Sequence, residues 1–251
     1  MERAVSFGLA GLSVTDHDSL DGLPRAAAAA EAAGIRFVPG VELTAEHEGA
    51  EVHVLGYFVE ARGPILEETA RLRALRTGRL ETMLARLDEM GVHVPKEAVL
   101  RVAGDAAPSR PHVAAAMRQL GLVDGIGAAF KRYIGDAAPG YVPKTRLSLA
   151  RAVELVRDAG GAPVLAHPAL SRVEFLVPVA ASLGFVGVEA YHPEQRGAYS
   201  RITAEAQRAG LIVTGGSDCH GDYKERAFLG AATAPLSVVE ELREAAGSAG
   251  S

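Results

Sequence analysis

The sequence predicts an α/β fold, with apolar strands alternating with helices to build a parallel sheet covered on both faces. Three observations carry this. Strand–helix alternation runs through both ends of the chain, a long helical stretch (64–146) separates them, and polar residues gather just after the strands. In a βα barrel that last position is the catalytic face.

The elements follow in order. Leu9 to Val14 is an apolar run, Pro24 to Ala33 an Ala-rich stretch, and Ile35 to Val41 a second apolar run, which together give strand, helix, strand. Pro24 near the start of that helix and Gly34 just beyond it are the expected punctuation. The segments 43–50 and 51–59 predict a hairpin turning at Gly49, with Val52 and Val54 on one face and Glu51, His53 and Leu55 on the other. From Pro64 the period becomes helical: Ile65 to Met90 closed by Gly91, a helix capped by Ser109 with Pro111 in its first turn and ending at Gly121, and an amphipathic piece from Ile126 to Ile134. A helix from Ser148 to Asp158 then leads back into the βα rhythm. Strands are expected at 163–167, 186–192 and 211–214, helices at 175–183 and 194–209, a final strand near 228–233 and a short helix from Ser237.

Composition narrows the function. The 251 residues are 48% hydrophobic and 23% charged, which excludes wholesale disorder, and no apolar run is long enough for a membrane span. One cysteine, Cys219, rules out an intramolecular disulfide and a thiolate-built zinc site, as in a reducing cytoplasm. No apolar segment of signal-peptide type follows Met1, so a cytoplasmic location is expected. With 26 basic against 31 acidic residues the net charge is −5, so an anionic substrate needs a local device and not a basic surface. The arginines at 71, 73, 76 and 79 are expected to form a solvated helix face, or else to track an RNA backbone.

Histidines and carboxylates recur at five strand-associated places: Thr15-Asp16-His17-Asp18, Pro39-Gly40-Val41-Glu42, His53, Ala166-His167-Pro168 and Gly216-Ser217-Asp218-Cys219-His220. A multinuclear metal centre needs such a set, because each divalent ion takes several N or O ligands and a carboxylate can bridge two ions. Asp218 and His220, two apart, would point the same way in extended chain, leaving Cys219 as a small buried residue. Asp16 and Asp18 flank His17 and would either orient it through its other ring nitrogen or cap the next helix. His192, after the Glu189-Ala190-Tyr191 strand, is open between a pocket wall and the surface, whereas His47 and His93 are expected to be solvated.

These motifs, with the hairpin Glu51-Val-His-Val-Leu-Gly-Tyr57, closely resemble the PHP (polymerase and histidinol phosphatase) superfamily. Ser109-Arg110-Pro111-His112 and Gly140-Tyr141-Val142-Pro143 resemble its branch of nucleoside 3',5'-bisphosphate phosphatases and 5'-3' exoribonucleases. The resemblance implies a distorted, TIM-like βα barrel of roughly seven strands, formed by 1–63 and 147–251, with the helical insertion 64–146 covering its cleft. It implies up to three divalent ions, manganese with zinc and iron as alternatives. Glu42 would bridge two ions, His53 and His167 complete one, Asp218 serve the other, and His17 with His220 hold the third; Glu42, Asp218 and His220 would be catalytic. Arg110, His112 and His192 would contact substrate, an arginine fork matching two phosphate oxygens. Family members begin with a strand bearing His-x-His and then Ser-Asp-Gly. The chain is expected to start after it, Met1 to Gly8 matching the end of the first helix, so only the Glu42, His53, His167 site keeps its full set.

The expected function is therefore metal-dependent hydrolysis of phosphate monoesters, on 3',5'-bisphosphonucleosides or 5'-phosphorylated RNA ends, with no membrane or protein partner implied. The alternatives are a degenerate, non-catalytic PHP domain that binds a nucleotide or a single structural metal, and amidohydrolase chemistry on C–N bonds, against which Arg110 and the insertion weigh.

Overall fold

A computed structural model of the chain describes residues 1–104, 108–220 and 228–248. The chain divides into two compact units, 1–67 with 146–251, and 68–145. No described helix is long and apolar enough to cross a membrane.

The first unit is built on a sheet. Helix α1 (Glu2–Ser6) leads into β1 (Gly11–Val14), α2 (Leu23–Ala32), β2 (Arg36–His47) and β3 (Ala50–Tyr57). The predicted second strand and first hairpin arm form one twelve-residue strand, because Pro39 and Gly40 continue in extended chain. Glu48 and Gly49 turn the hairpin with φ of 51° and 83°, the left-handed pair that matches strand twist. After the second unit come β4 (Leu147–Ser148), α7 (Leu149–Asp158), β5 (Ala162–Leu165), β6 (Gly187–Tyr191), α8 (Tyr199–Arg208), β7 (Ile212–Gly215) and α9 (Ser237–Ser248). Apolar β5 and β6 are buried along almost their whole length, as strands covered on both faces must be.

Strand order is β1-β2-β3-β5-β6-β7, with β4 beside β2. Three expectations are corrected. The sheet is mixed, since β3 runs antiparallel to both β2 and β5: a two-residue turn can only reverse the chain. Separately, and not against expectation for a barrel without its first strand, no pairing among the described residues joins β7 to β1, and the sheet is a curled, open half-barrel. Residues 228–233 form turns and bends in place of a last strand, and 174–179, which contain Pro178, form a 3₁₀ turn in place of an α-helix.

The second unit is helical. The long helix α3 (Pro64–Glu89) enters it, followed by α4 (Lys96–Ala103), α5 (Arg110–Gln119), α6 (Ile126–Ala129) and a π turn, Phe130–Ile134. Leu80, Met83, Leu87, Val99, Val113, Met117 and Ile134 are in its core. Of the α3 arginines, Arg71, beside Glu68, and Arg73 are exposed as expected, whereas Arg79 is half-buried and donates to the Val142 carbonyl.

Gly40 decides how closely β1 approaches β2. A methyl group there would lie 2.6 Å from Ser13 Oγ and 3.1 Å from the Gly56 carbonyl oxygen. Without it, the chain leaving β1 runs beside β2 and His17 bridges to Glu42. Gly40→Ala is expected to destabilise the protein by about 1–3 kcal/mol, read as a lower midpoint in urea. A change within about 0.5 kcal/mol of zero would show that the two strands do not meet as described.

Candidate metal centre

Glu42 lies in the middle of β2, where its side chain is 4% exposed as a residue and ringed by imidazoles from three other segments. His53 Nδ1, from β3, is 2.7 Å from Oε1, and His167 Nε2, just past β5, is 3.1 Å from the same oxygen. His17 Nδ1, after β1, is 3.5 Å from Oε2. The ligand atoms of His17, Glu42 and His53 all lie within 4.8 Å of one another. His53 Nδ1 is buried and, despite its 2.7 Å approach, makes no properly directed hydrogen bond. Convergent N and O donors with one buried nitrogen not directed at its neighbour are the donor set a borderline divalent cation takes, so these residues fit the expected ion.

Hydrogen bonds behind the imidazoles fix their orientation. His53 Nε2 donates to Glu51 Oε1 at 3.2 Å, which turns Nδ1 toward Glu42. Glu51 is itself held by Arg146, whose Nε and Nη2 reach Oε2 at 2.9 and 2.8 Å. His167 Nδ1 meets Ser171 Oγ at 2.9 Å, and its backbone N–H donates to Glu189 Oε2 at 3.2 Å. Such carboxylate–histidine arrangements set tautomer and ring direction.

Asp218 stands at the next strand end. His192, fully buried, accepts the Glu194 N–H at Nδ1, so its proton sits on Nε2, which faces Asp218 Oδ2 at 3.4 Å. His220 Nδ1 donates to the Asp218 carbonyl at 2.8 Å, and the His17 and His220 rings are 5.8 Å apart. Rings of His17, His53, His167 and His192 follow one another at 5.1–5.3 Å. A cavity of about 450 Å³ opens over the cluster, lined by His17, Glu51, His53, His167, Arg172 and Asp218 among others.

Burial alone would push the Glu42 carboxyl up. The charges of His17 and His53, the hydrogen bond of His167 and the close approach of His53 outweigh it and hold Glu42 well below the usual range. Burial would push His53 down, but Glu42 and then Glu51 raise it to about 9. His167 is raised by Glu42 against its own burial. Glu189, buried among carboxylates, is pushed up to about 8.

The six expected ligands thus fall into two neighbouring groups, Glu42 with His17, His53 and His167, and Asp218 with His220. His17 lies close to both Glu42 and His220. His192 is neither on the surface nor merely a wall, since it faces Asp218. Arg110 and His112 belong to the helical unit. Arg110 Nη1 pairs with Asp136 at 2.6 Å under the Phe130 and Tyr141 rings, and His112 Nδ1 accepts the Ser109 N–H in a capping box. One minor expectation fails. Cys219 is exposed, because Asp218 has φ of 47° and the segment is not extended. The Asp18 carboxylate accepts from Thr44 N and Oγ1 at 2.7 and 3.1 Å, and the cap of α2 is Gly22.

Glu189, Ser171, Glu51 and Arg146 have no role in the sequence motifs, yet all four brace the cluster. Two signals could have found the carboxylates: Glu189 is the lone charge in the otherwise apolar run 186–191, and Glu51 lies two residues before His53 on its face.

Known proteins with this architecture match along most of the chain. A 3',5'-nucleoside bisphosphate phosphatase of Chromobacterium violaceum is 32% identical over 234 residues, 88% of this chain and 80% of the relative. The chain belongs to the same family of phosphoesterases. A 5'-3' exoribonuclease of Salmonella typhimurium is 29% identical over 171 residues, 67% of this chain and 58% of the relative. A crystal structure from Bifidobacterium adolescentis, described as a metal-dependent phosphoesterase, superimposes with a TM-score of 0.85 at 30% identity, covering 96% of this chain and 87% of the other. No family model matches. As a phosphoesterase, the chain is a hydrolase whose His/Glu cluster is suited to a metal.

A proton balance tests the cluster. His53 is protonated at pH 7 because its pKa is about 9, and ligation needs its lone pair, so metal binding must expel that proton. Calorimetry of manganese binding in buffers of different ionisation enthalpy is expected to give a net release of about one proton or more at pH 7, with affinity rising from pH 6 to pH 9. No release and a flat pH profile would contradict this protonation of the site.

Proposed function

We propose that the chain is a PHP-type, metal-dependent phosphoesterase that removes phosphate from nucleotides, with 3',5'-bisphosphonucleosides as the primary substrate class. The observation that carries this is Glu42, a buried carboxylate shared by three imidazoles that line a cavity, in a chain similar over most of its length to a phosphatase of that specificity. Glu42 would bridge two ions, with His53 and His167 on one, Asp218 on the other, and His17 with His220 on a third. Manganese is the favoured ion and zinc or iron the alternatives, since all accept N and O donors. Such ions supply charge neutralisation at the phosphoryl oxygens and lower the pKa of an attacking water.

The chain's own residues do the rest. Glu51 and Ser171 hold the imidazoles in register, and Glu189 fixes the backbone that carries His167. His192 donates to Asp218 and keeps its second oxygen in place. Arg110 and His112 remain the proposed contacts for substrate phosphate. The similarity to an exoribonuclease supports a second substrate reading, 5'-phosphorylated RNA ends. The proposed location is the cytoplasm.

Phosphate release from adenosine 3',5'-bisphosphate and from a short 5'-phosphorylated RNA, each with manganese, tests the proposal. Hydrolysis of the bisphosphate is expected, and Glu42→Gln is expected to lower it by about 100-fold or more, since even residues behind the ligands are worth about 10- to 100-fold. Arg110→Ala is expected to reduce catalytic efficiency about 10-fold or more with metal content unchanged. RNA cleavage without bisphosphate hydrolysis would select the second reading, and no metal-dependent release from either would overturn both.

A further inference from the structure

Arg172 lines the cavity over the histidine cluster and brings a guanidinium to it. Arg146, the arginine that reaches the cluster through Glu51, is engaged by Glu46 and Glu51. No ion pair or side-chain hydrogen bond of Arg172 is found among the described residues, and it is exposed to solvent. The cavity wall opposite in charge to it, Glu51 and Asp218, is committed to Arg146, His53, His192 and His220.

Its backbone is fixed to that of a candidate ligand. Residues 167–173 form a tight loop in which Ser171 N–H donates to the His167 carbonyl, Arg172 N–H to Ala169, and Val173 N–H to Pro168. Gln195 Oε1 takes the Ala169 N–H, and Ser171 Oγ meets the His167 ring. Both ends of the loop are strained: His167 has φ of 24° and Arg172 φ of 59°, where a non-glycine residue is uncommon. A guanidinium on a braced backbone, a few residues from a ligand imidazole, loses little freedom when it closes on an anion, and its fork matches two oxygens of one phosphate.

We infer that Arg172 holds the second, non-reacting phosphate of the substrate, one ribose away from the phosphate being hydrolysed, and so selects nucleoside bisphosphates over monophosphates. The inference rests on the proposed phosphatase reading and adds the source of its substrate preference.

Arg172→Gln keeps the side chain's length, and Arg172→Gly suits the positive φ, so at least one variant retains the loop. With manganese, both are expected to lower kcat/KM for adenosine 3',5'-bisphosphate by about 10- to 100-fold, the scale of one charge-assisted contact. Activity on adenosine 3'-monophosphate and 5'-monophosphate should stay within about twofold. A 5'-phosphorylated dinucleotide, whose second phosphate is a diester, distinguishes the sources: an equal loss there means that any phosphate one ribose away is read. Binding without metal is the independent readout. Calorimetry is expected to show bisphosphate bound more tightly than the monophosphates by the wild type, and the difference lost in both variants. That result supports the inference even if no substrate is turned over, in which case the phosphatase reading alone fails. Equal losses on mono- and bisphosphates, or wild-type preference retained in both variants, would overturn it.

Discussion

The buried charge of Glu42 is the constraint on which the site depends. A carboxylate at 4% exposure carries a desolvation penalty of several kcal/mol unless opposite charge or a cation meets it. Here the compensation comes from imidazoles on the chain after β1, on β3 and after β5, so one side chain ties together the segments that the sheet brings side by side. The open lane at Gly40, the two-residue hairpin turn and the antiparallel placement of β3 between β2 and β5 each set the position of one of those imidazoles. The same contacts hold the Glu42 carboxyl low and raise His53 and His167, so that carboxylate and imidazoles depend on one another for their charge.

Around this centre the chain holds its ligand-bearing turns in uncommon backbone geometry. Asp18, His167 and Asp218 all have positive φ without being glycine, and all lie at or beside the cluster. Each is compensated nearby: Asp18 by Thr44, His167 by Glu189 and Ser171, Asp218 by His192 and His220. Strain of this kind persists where the surroundings over-determine it, and the same logic extends to Arg172 at the end of the His167 loop.

Much of the site is legible in the amino-acid sequence, because metal-type ligands at strand ends are conspicuous against apolar runs: Glu42, His53 and His167 each interrupt or follow one. The partners behind them are not, since they depend on pairing between distant segments. Arg146 reaches Glu51 only because β4 returns to β2 next to the hairpin, and Glu189 reaches the His167 backbone only across β5 and β6. In the fold, strand positions follow from hydrophobic runs and the direction of β3 from the length of its turn. What periodicity cannot supply is backbone detail, such as the 3₁₀ turn at 174–179 or the kink at Asp218 that exposes Cys219.

If Glu42 is the shared ligand of a metal centre, a divalent ion must displace the imidazole protons and take its oxygens. Anomalous diffraction from crystals grown with manganese measures this directly. The expected result is density peaks on both sides of the Glu42 carboxylate, at about 2.0–2.2 Å from its oxygens, with His53 and His167 sharing one of them. Peaks remote from Glu42, with the carboxylate still 2.7 Å from His53 Nδ1, would contradict the account.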